Sequence, residues 1–246
     1  MRRSKPARIL LLIMLVIIIV ATSVILALTY RATPPQIQAV EPVKGEVALP
    51  KPVTVGTVSV EEALERRASI RNYTDQPITI QQVSQLLWAA QGVTRPSWGG
   101  RTAPSAGGTY PLEVYMVVAK NGVEGLAAGV YRYIPQRHTI NLTAVGDRVS
   151  NLSAAALNQR WVAEARINIV IAAVYERTTS RYGERGVQYV HMEAGHAAQN
   201  LYLEATALNL GMVSIGAFND EQVQKVCELP KEQKPLYVIP IGHPRS

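Results

Sequence analysis

From Ile9 to Tyr30 the chain runs 22 residues without a charge, ILLLIMLVIIIVATSVILALTY, and only Thr22, Ser23 and Thr29 interrupt its apolar or aromatic character. A helix rising about 1.5 Å per residue over this length crosses a hydrocarbon layer of about 30 Å. Secretory hydrophobic regions are shorter, roughly 7–15 residues, and no clean A-x-A site follows. The run is apolar all round, so it does not fit a surface helix of a water-soluble domain. The expectation is an uncleaved transmembrane anchor at 9–30. Arg2, Arg3, Lys5 and Arg8 precede it with no acid, and only Arg31 follows closely. That asymmetry places the basic tail 1–8 in the cytoplasm. A single-pass membrane protein with its C-terminal domain extracytoplasmic is expected.

The same residues explain the net charge of +7. A basic balance can signal a nucleic-acid partner. Here the tail and Arg31 hold most of it, 32–60 balances, and 61–246 keeps only +2. A basic nucleic-acid face is therefore excluded. Cys227 is the single cysteine, so neither an internal disulfide nor a multi-cysteine metal site can form. Residues 31–58 carry Pro34, Pro35, Pro42, Pro50 and Pro52 without a helical period. They read as an extended tether whose last part, LPKPVTVGT, lies along the domain surface. The domain itself is placed at 59–246.

Within it, Ser59 and Glu62, then Thr79 and Gln82, form two capping boxes. The first opens a short helix to about Arg66. The second opens a helix in which Val83, Leu86, Leu87 and Ala90 share a face and Gly92 marks the stop. A long Gly/Ser/Thr/Pro-rich loop is expected over 93–109. Leu112–Val118 and Ile167–Val174 read as buried strands, and Val130–Ile134 with Thr139–Leu142 as a hairpin. Helices are expected over Ser150–Trp161 and from Val187 to about Leu208, the latter ended by Gly211. A strand over Met212–Phe218, a helix capped by Asn219 and running through Cys227, and a strand over Leu236–Ile241 complete the pattern. Interleaved helices and strands give an α/β or α+β domain.

Four segments could carry chemistry. Arg67, Ser69 and Arg71 alternate, so in extended chain they point the same way. Guanidinium forks and a hydroxyl suit a phosphate or a polyol chain. Ser105, Gly107 and Gly108 lie in a loop whose bare backbone can approach a flat ligand. This loop leads into a strand, unlike a dinucleotide fingerprint or P-loop. His191, Glu193, His196, Gln199 and Asn200 lie on the long helix. The histidines are five apart where a zincin needs four, so no metal site is expected, and hydrogen bonding by His196 and Asn200 is the expected role. Finally, the last strand ends in Gly242-His243-Pro244-Arg245. Nothing resembles a G-x-S-x-G nucleophile, and Cys227 falls at a core-facing position.

In this order and spacing RRASIRNY (66–73), PSAGGTYPLEVYMV (104–117), EAGHAAQNLYLEATALNLG (193–211), IGAF (215–218) and YVIPIGHPR (237–245) resemble the FMN-dependent nitroreductase family. More narrowly they resemble its SagB/ThcOx-type dehydrogenase branch. The resemblance covers about 48–245. It implies an α+β fold, a nitroreductase-like central sheet flanked by helices, assembled as a homodimer with FMN at each of two subunit interfaces. It assigns flavin contacts to Arg67, Ser69 and Arg71, to Ser105, Gly107 and Gly108, to Gly216 and Ala217, and to Arg245 as a late phosphate-binding cation. Ala68 removes one side-chain contact that some members have.

The azoline-oxidising members carry a Lys-Tyr pair just before the long helix, where this chain has Arg181-Tyr182. Tyr182 matches the tyrosine. Arg181 is no general base, because its guanidinium does not lose its proton in a protein. The resemblance therefore implies a membrane-anchored FMN oxidoreductase working on a small molecule such as a nitroaromatic or quinone. Its donor would be a reduced nicotinamide or, for an exported domain, a quinol. An azoline dehydrogenase acting on modified peptides and a non-catalytic flavin-binding module are the alternatives.

Overall fold

The computed structural model describes residues 45–245, together with Met14 and Thr22, which are helical. The chain divides into two units, Met1–Gln38 and Ala39–Ser246. The basic tail, the expected anchor apart from these two residues, and the tether as far as 44 lie outside the described residues. Among the described residues no helix is long and apolar enough to cross a membrane.

In chain order the second unit contains β1 (Glu46–Ala48), α1 (Val60–Arg66), α2 (Ile80–Gln91), β2 (Val93–Arg95), β3 (Gly100–Arg101), β4 (Leu112–Val118), β5 (Gly129–Ile134), β6 (Thr139–Val145), α3 (Val149–Ala155), α4 (Arg160–Glu164), β7 (Ile167–Val174), α5 (Glu176–Tyr182), α6 (Arg185–Ala207), β8 (Gly211–Met212), α7 (Asp220–Val226) and β9 (Gln233–Gly242). Seven of these strands form one sheet in the order β1-β6-β5-β4-β7-β9-β8. Every pairing in it is antiparallel. The fold is α+β, a central antiparallel sheet flanked by helices.

The two apolar runs that read as buried strands lie at the sheet centre, with Tyr115 opposite Val170. All seven residues of β4 are buried, because both faces of the sheet are covered. Val114 and Met116 join Leu86 and Leu87 of α2 and Ala197 and Leu201 of α6 on one face. Tyr115 and Val117 join Leu152 of α3, Val162 of α4 and Val223 of α7 on the other. Each fully buried aliphatic side chain contributes roughly 1.5–3 kcal/mol by leaving water. Cys227 lies in this second layer, where burial pushes its thiol up to about 12. At neutral pH it is neither nucleophile nor ligand.

Helix starts follow the expected chemistry. The Thr79 side chain accepts from the Gln82 N–H and Gln82 returns a bond to the Thr79 N–H, a complete capping box. Ser59 and Asn219 cap α1 and α7 through the N–H groups of Glu62 and Gln222.

Several expected elements differ. The helix expected over 150–161 is two, because Leu157 and Asn158 adopt φ of 58° and 57° and reverse the chain between them. The long helix starts two residues early and follows a separate α5, with Gly183 at φ 56° between them. Asn209, at φ 55°, ends it ahead of Gly211. Gly211 serves packing instead, since a Cβ there would come 2.6 Å from Ile70. The strand expected over 212–218 pairs only as far as Met212, and Ile215 adds one bridge to Val238. Within 93–109, β2 and β3 form a hairpin. The folded body also takes in part of the stretch read as tether. Glu46–Ala48 pair with β6, and Val53 exchanges two 2.9 Å bonds with the Gln85 side chain.

Candidate functional site

The four segments form two clusters, set at different heights along α6. The first is built on residues 67–73. Arg66 closes α1 with an ion pair to Glu62 and a bond to Asn209, each 2.7 Å. Extended chain follows: Ser69 bridges Met212, and the Ile70 N–H donates to the Met212 carbonyl at 2.9 Å. The Arg67 guanidinium lies 5.2 Å from the Tyr202 ring centroid, and the Ser69 and Tyr202 hydroxyls are 3.0 Å apart. Tyr202 Oη also accepts from the Ser214 N–H at 3.0 Å. Arg71 lies 5.6 Å over the Trp161 ring.

The chain end joins this cluster. Tyr73 pairs with Pro244, and the Arg245 N–H donates to the Asn72 carbonyl at 3.1 Å. Arg160 donates to Asn72 Oδ1 at 3.1 Å. A cavity of about 380 Å³ is lined by Asn72, Arg160, Arg166 and Arg245 and also by the carboxylates Asp75 and Glu164, Asp75 pairing with Arg166 at 3.3 Å. Gly216 and Ala217 follow the Ile215 bridge. The Ala217 carbonyl accepts from Gln159 at 2.9 Å, which ties this turn to the start of α4 beside Trp161. A Cβ on Gly216 would meet nothing within 4 Å, so the fold leaves open space there. Among the described residues none of Arg67, Arg71 and Arg245 forms an ion pair with a carboxylate.

The second cluster is the glycine-rich loop. Gly107 and Gly108 have φ of 60° and 66°, a left-handed conformation that glycine adopts without penalty. Arg181 and Tyr182 sit directly on it. Arg181 donates to the Gly107 carbonyl at 3.2 Å. A Cβ on Gly107 would come 2.5 Å from Tyr182 Oη and 2.8 Å from Arg181 Nη1. The structure thus brings the Arg-Tyr pair onto the loop, and Arg181 braces it.

Behind the loop lies a buried polar network. Ser105 Oγ accepts the Tyr110 N–H at 2.9 Å. Arg101 donates to Gln91 Oε1 at 2.8 Å and lies 4.4 Å over the Tyr110 ring. Arg177 donates to the Tyr110 carbonyl and pairs with Glu113 at 2.6 Å. Glu193 projects from α6 into this network and is 3% exposed. Burial pushes its carboxyl up to about 7, while Ser105, Arg101 and Gln91 pull it back down.

Glu193 and Tyr202 are nine residues apart on one helix, about 14 Å at helical rise. No hydrogen bond or ion pair joins the two clusters among the described residues. Of the other polar residues of α6, Asn200 bonds the Ala89 carbonyl at 3.1 Å and His191 lies 2.6 Å from the Tyr175 hydroxyl, whereas His196, expected to hydrogen-bond, is exposed and makes no hydrogen bond among the described residues.

The flavin implied by the resemblance fits the first cluster on an independent count. Three buried polar atoms among these residues lack a hydrogen-bond partner: Trp161 Nε1, Ser214 Oγ and His243 Nε2. Orphaned buried groups are costly and commonly mark a missing ligand or water. Three cations beside them complement a phosphate. Tyr202, Trp161 and Arg160 escape sequence reasoning, since each meets the ribbon only through tertiary packing. Glu193 carried a signal, a carboxylate on a face otherwise turned to the core.

Comparisons with known proteins identify the family. The sequence signature of the nitroreductase family matches residues 64–243. A Methanocaldococcus jannaschii protein named as a nitroreductase is 45% identical over 197 residues, 80% of this chain and 96% of its own. The microcin B17-processing protein McbC of Escherichia coli is 27% identical, over 67% of this chain and 62% of its own. An FMN reductase of Bacillus subtilis that uses NAD(P)H is 26% identical, over 75% and 66%. Among solved structures, a nitroreductase from Ralstonia eutropha superposes with a TM-score of 0.71 at 30% identity, covering 85% of this chain and 93% of that one.

Proposed function

The chain belongs to the nitroreductase family, and from that premise we propose that it is a membrane-anchored, FMN-dependent oxidoreductase. It would pass hydride between a reduced nicotinamide or quinol donor and a small acceptor such as a nitroaromatic or a quinone. Arg67 and Ser69 against Tyr202 and Arg71 against Trp161, with orphaned polar atoms on Trp161 and Ser214, support this reading. The FMN reductase relative supports the cofactor.

FMN, when bound, supplies the hydride chemistry. The chain's own residues bind and orient. Arg67, Arg71 and Arg245 hold a phosphate and the polar edge of the ligand through charge-assisted hydrogen bonds. Ser69, fixed by Tyr202, adds a hydroxyl. The Gly107-Gly108 backbone and the Gly216-Ala217 turn offer surfaces without Cβ bulk where a flat ring can lie. The Tyr182 hydroxyl stands over Gly107, positioned to hold a proton at the substrate side.

A homodimer completes the site by bringing the loop of one copy to the arginines of the other. Val60 and Leu64 of α1 and Val187 and Met192 of α6 are exposed apolar groups available for that contact. Anchoring rests on the uncharged 9–30 run, with the domain on the extracytoplasmic side.

The test is an absorbance spectrum of the purified protein, then anaerobic reduction with NADH, NADPH and a quinol. Bound flavin that a donor bleaches supports the reading. Absence of flavin together with failure to reconstitute with FMN overturns it. Protease protection of the domain in intact cells would remove the extracytoplasmic placement. The similarity to McbC supports a second reading, azoline oxidation on a modified peptide. Arg181 stands against it, because proton transfer would fall to Tyr182 alone.

A further inference from the structure

Between α1, α2 and α6, beside the segment 53–58, lie two adjoining cavities of about 300 and about 330 Å³. Val58, Trp88, Glu204 and Ala207 line both, so the two share a wall. Val60 and Leu203 extend the apolar lining of one, Val53 and Leu208 that of the other. Leu203, Glu204 and Ala207 fall three or four residues apart along α6 and so present one face. None of the residues assigned to the flavin lines either cavity.

Among the described residues that line them, Glu204 alone is charged, and no lysine, arginine or histidine stands with it. Glu204 forms no ion pair among the described residues. Burial pushes its carboxyl above the ordinary value, although Gln85 pulls it back. Both ends of the Gln85 amide are already engaged by Val53 at 2.9 Å. A half-buried carboxylate without a cation is costly, and a cation brought beside it offsets that cost. Trp88 supplies the second element. Its indole packs so closely on Gly92 that a Cβ there would have no room, which holds the ring in place. An indole face attracts a cation, more strongly where water is excluded.

We propose that these cavities form a binding site for an organic ammonium ion, its charged nitrogen on the Glu204 carboxylate and the Trp88 ring and its apolar body along Val58, Leu203 and Ala207. The site is separate from the flavin site, and the inference does not rest on the FMN reading. A neutral ligand of the same shape leaves the carboxylate unpaired, and an anion meets it with like charge. An inorganic cation leaves the apolar walls unused. The lining therefore selects a positive charge on an apolar frame, and the volume suits a small organic molecule.

The experiment titrates the full-length protein in a non-ionic detergent with phenethylammonium chloride and, as its neutral counterpart, 2-phenylethanol. Calorimetry reads the binding. Wild type should bind the ammonium at least about tenfold more tightly than the alcohol, the worth of one hydrogen bond to a charged group. Glu204→Gln should remove that preference and leave the affinity for the alcohol unchanged. Ala207→Phe keeps the carboxylate and fills the shared wall; it should abolish binding of both probes, and it guards against a folding change in the first variant. The Trp88 indole N–H signal in NMR, assigned with Trp88→Phe, should shift and saturate as the ammonium binds. Equal affinity for the two probes, an ammonium preference that survives Glu204→Gln, binding that survives Ala207→Phe, or saturation without movement of the Trp88 signal overturns the inference. So does the absence of binding, as when a second copy of this chain covers the face. Each of these outcomes is read without FMN, so it stands whether or not the flavin reading holds.

Discussion

The arginine cluster and the glycine-rich loop are held by opposite means. Arg67 and Arg71 ride on one ribbon, stacked on aromatic rings, and they and the neighbouring Arg245 are unpaired with any carboxylate among the described residues. The loop 105–110 rests on Arg101, which lies over the Tyr110 ring and donates to the buried Gln91, and is braced by Arg181. One cluster is electrostatic and ready for an anion; the other is a packed surface set in advance. The difference teaches that each should fail in its own way: the first through charge and salt, the second through shape and pH.

The largest effect tests shape. Gly107→Val combines a φ of 60° with a Cβ 2.5 Å from Tyr182 Oη. A left-handed β-branched residue costs about 1–3 kcal/mol in strain alone. FMN affinity should fall by about a hundredfold or more, with the far-UV circular dichroism unchanged. Retained affinity would show that the loop does not form the ligand surface.

Charge comes next. Arg67→Ala or Arg245→Ala removes a charge-assisted hydrogen bond, about 1.5–3 kcal/mol and so about ten- to a hundredfold in FMN Kd. The melting temperature should stay within about two degrees, because no ion pair is broken. The loss should shrink as salt rises, since salt weakens the wild-type contact first. A large drop in melting temperature would make the ribbon a structural element instead.

The smallest effect extends the buried half of the contrast to a second polar hub. His138 Nδ1 lies 2.8 Å from the Tyr133 hydroxyl and Nε2 lies 2.7 Å from Ser84 Oγ, which donates to the Pro50 carbonyl. This pattern suits a neutral ring with its proton on Nε2, and burial lowers its pKa from 6.5. The folded state then binds fewer protons than the unfolded chain, so this stability is present above pH 6.5 and is lost as pH falls. Below about pH 6, the protection factors of the Leu49 and Val53 amides, corrected for the intrinsic pH dependence of exchange, should fall by about threefold to tenfold, while the arginine cluster stays unaffected. Unchanged exchange in acid would remove His138 from the attachment of β1.

Much of this arrangement was legible in the residues. Capping boxes at Thr79 and Ser59 and the runs Leu112–Val118 and Ile167–Val174 are local signals, and they placed the helix starts and the sheet centre. The alternation of Arg67, Ser69 and Arg71 was also a local signal; Arg67 and Ser69 meet Tyr202, and Arg71 meets Trp161. What stayed hidden depends on tertiary packing. Leu157 and Asn158 break a helix that their own propensities do not forbid. Glu46–Ala48, in a proline-rich stretch, become a strand because β6 offers an open edge. Tyr202 and Trp161 reach Arg67 and Arg71 from distant helices.

In the proposed dimer the two clusters would meet across copies, with the arginines of one chain completing the loop of another. Coexpression of an Arg67→Ala/Arg245→Ala chain with a Gly107→Val chain tests it directly. Each variant alone should bind no FMN at a concentration that saturates wild type. Random pairing gives mixed dimers with one intact site apiece, so about a quarter of all sites should recover FMN. Recovery near that level is the result the account predicts. No recovery, despite mixed dimers shown by mass spectrometry, would contradict it and place the whole site within a single chain.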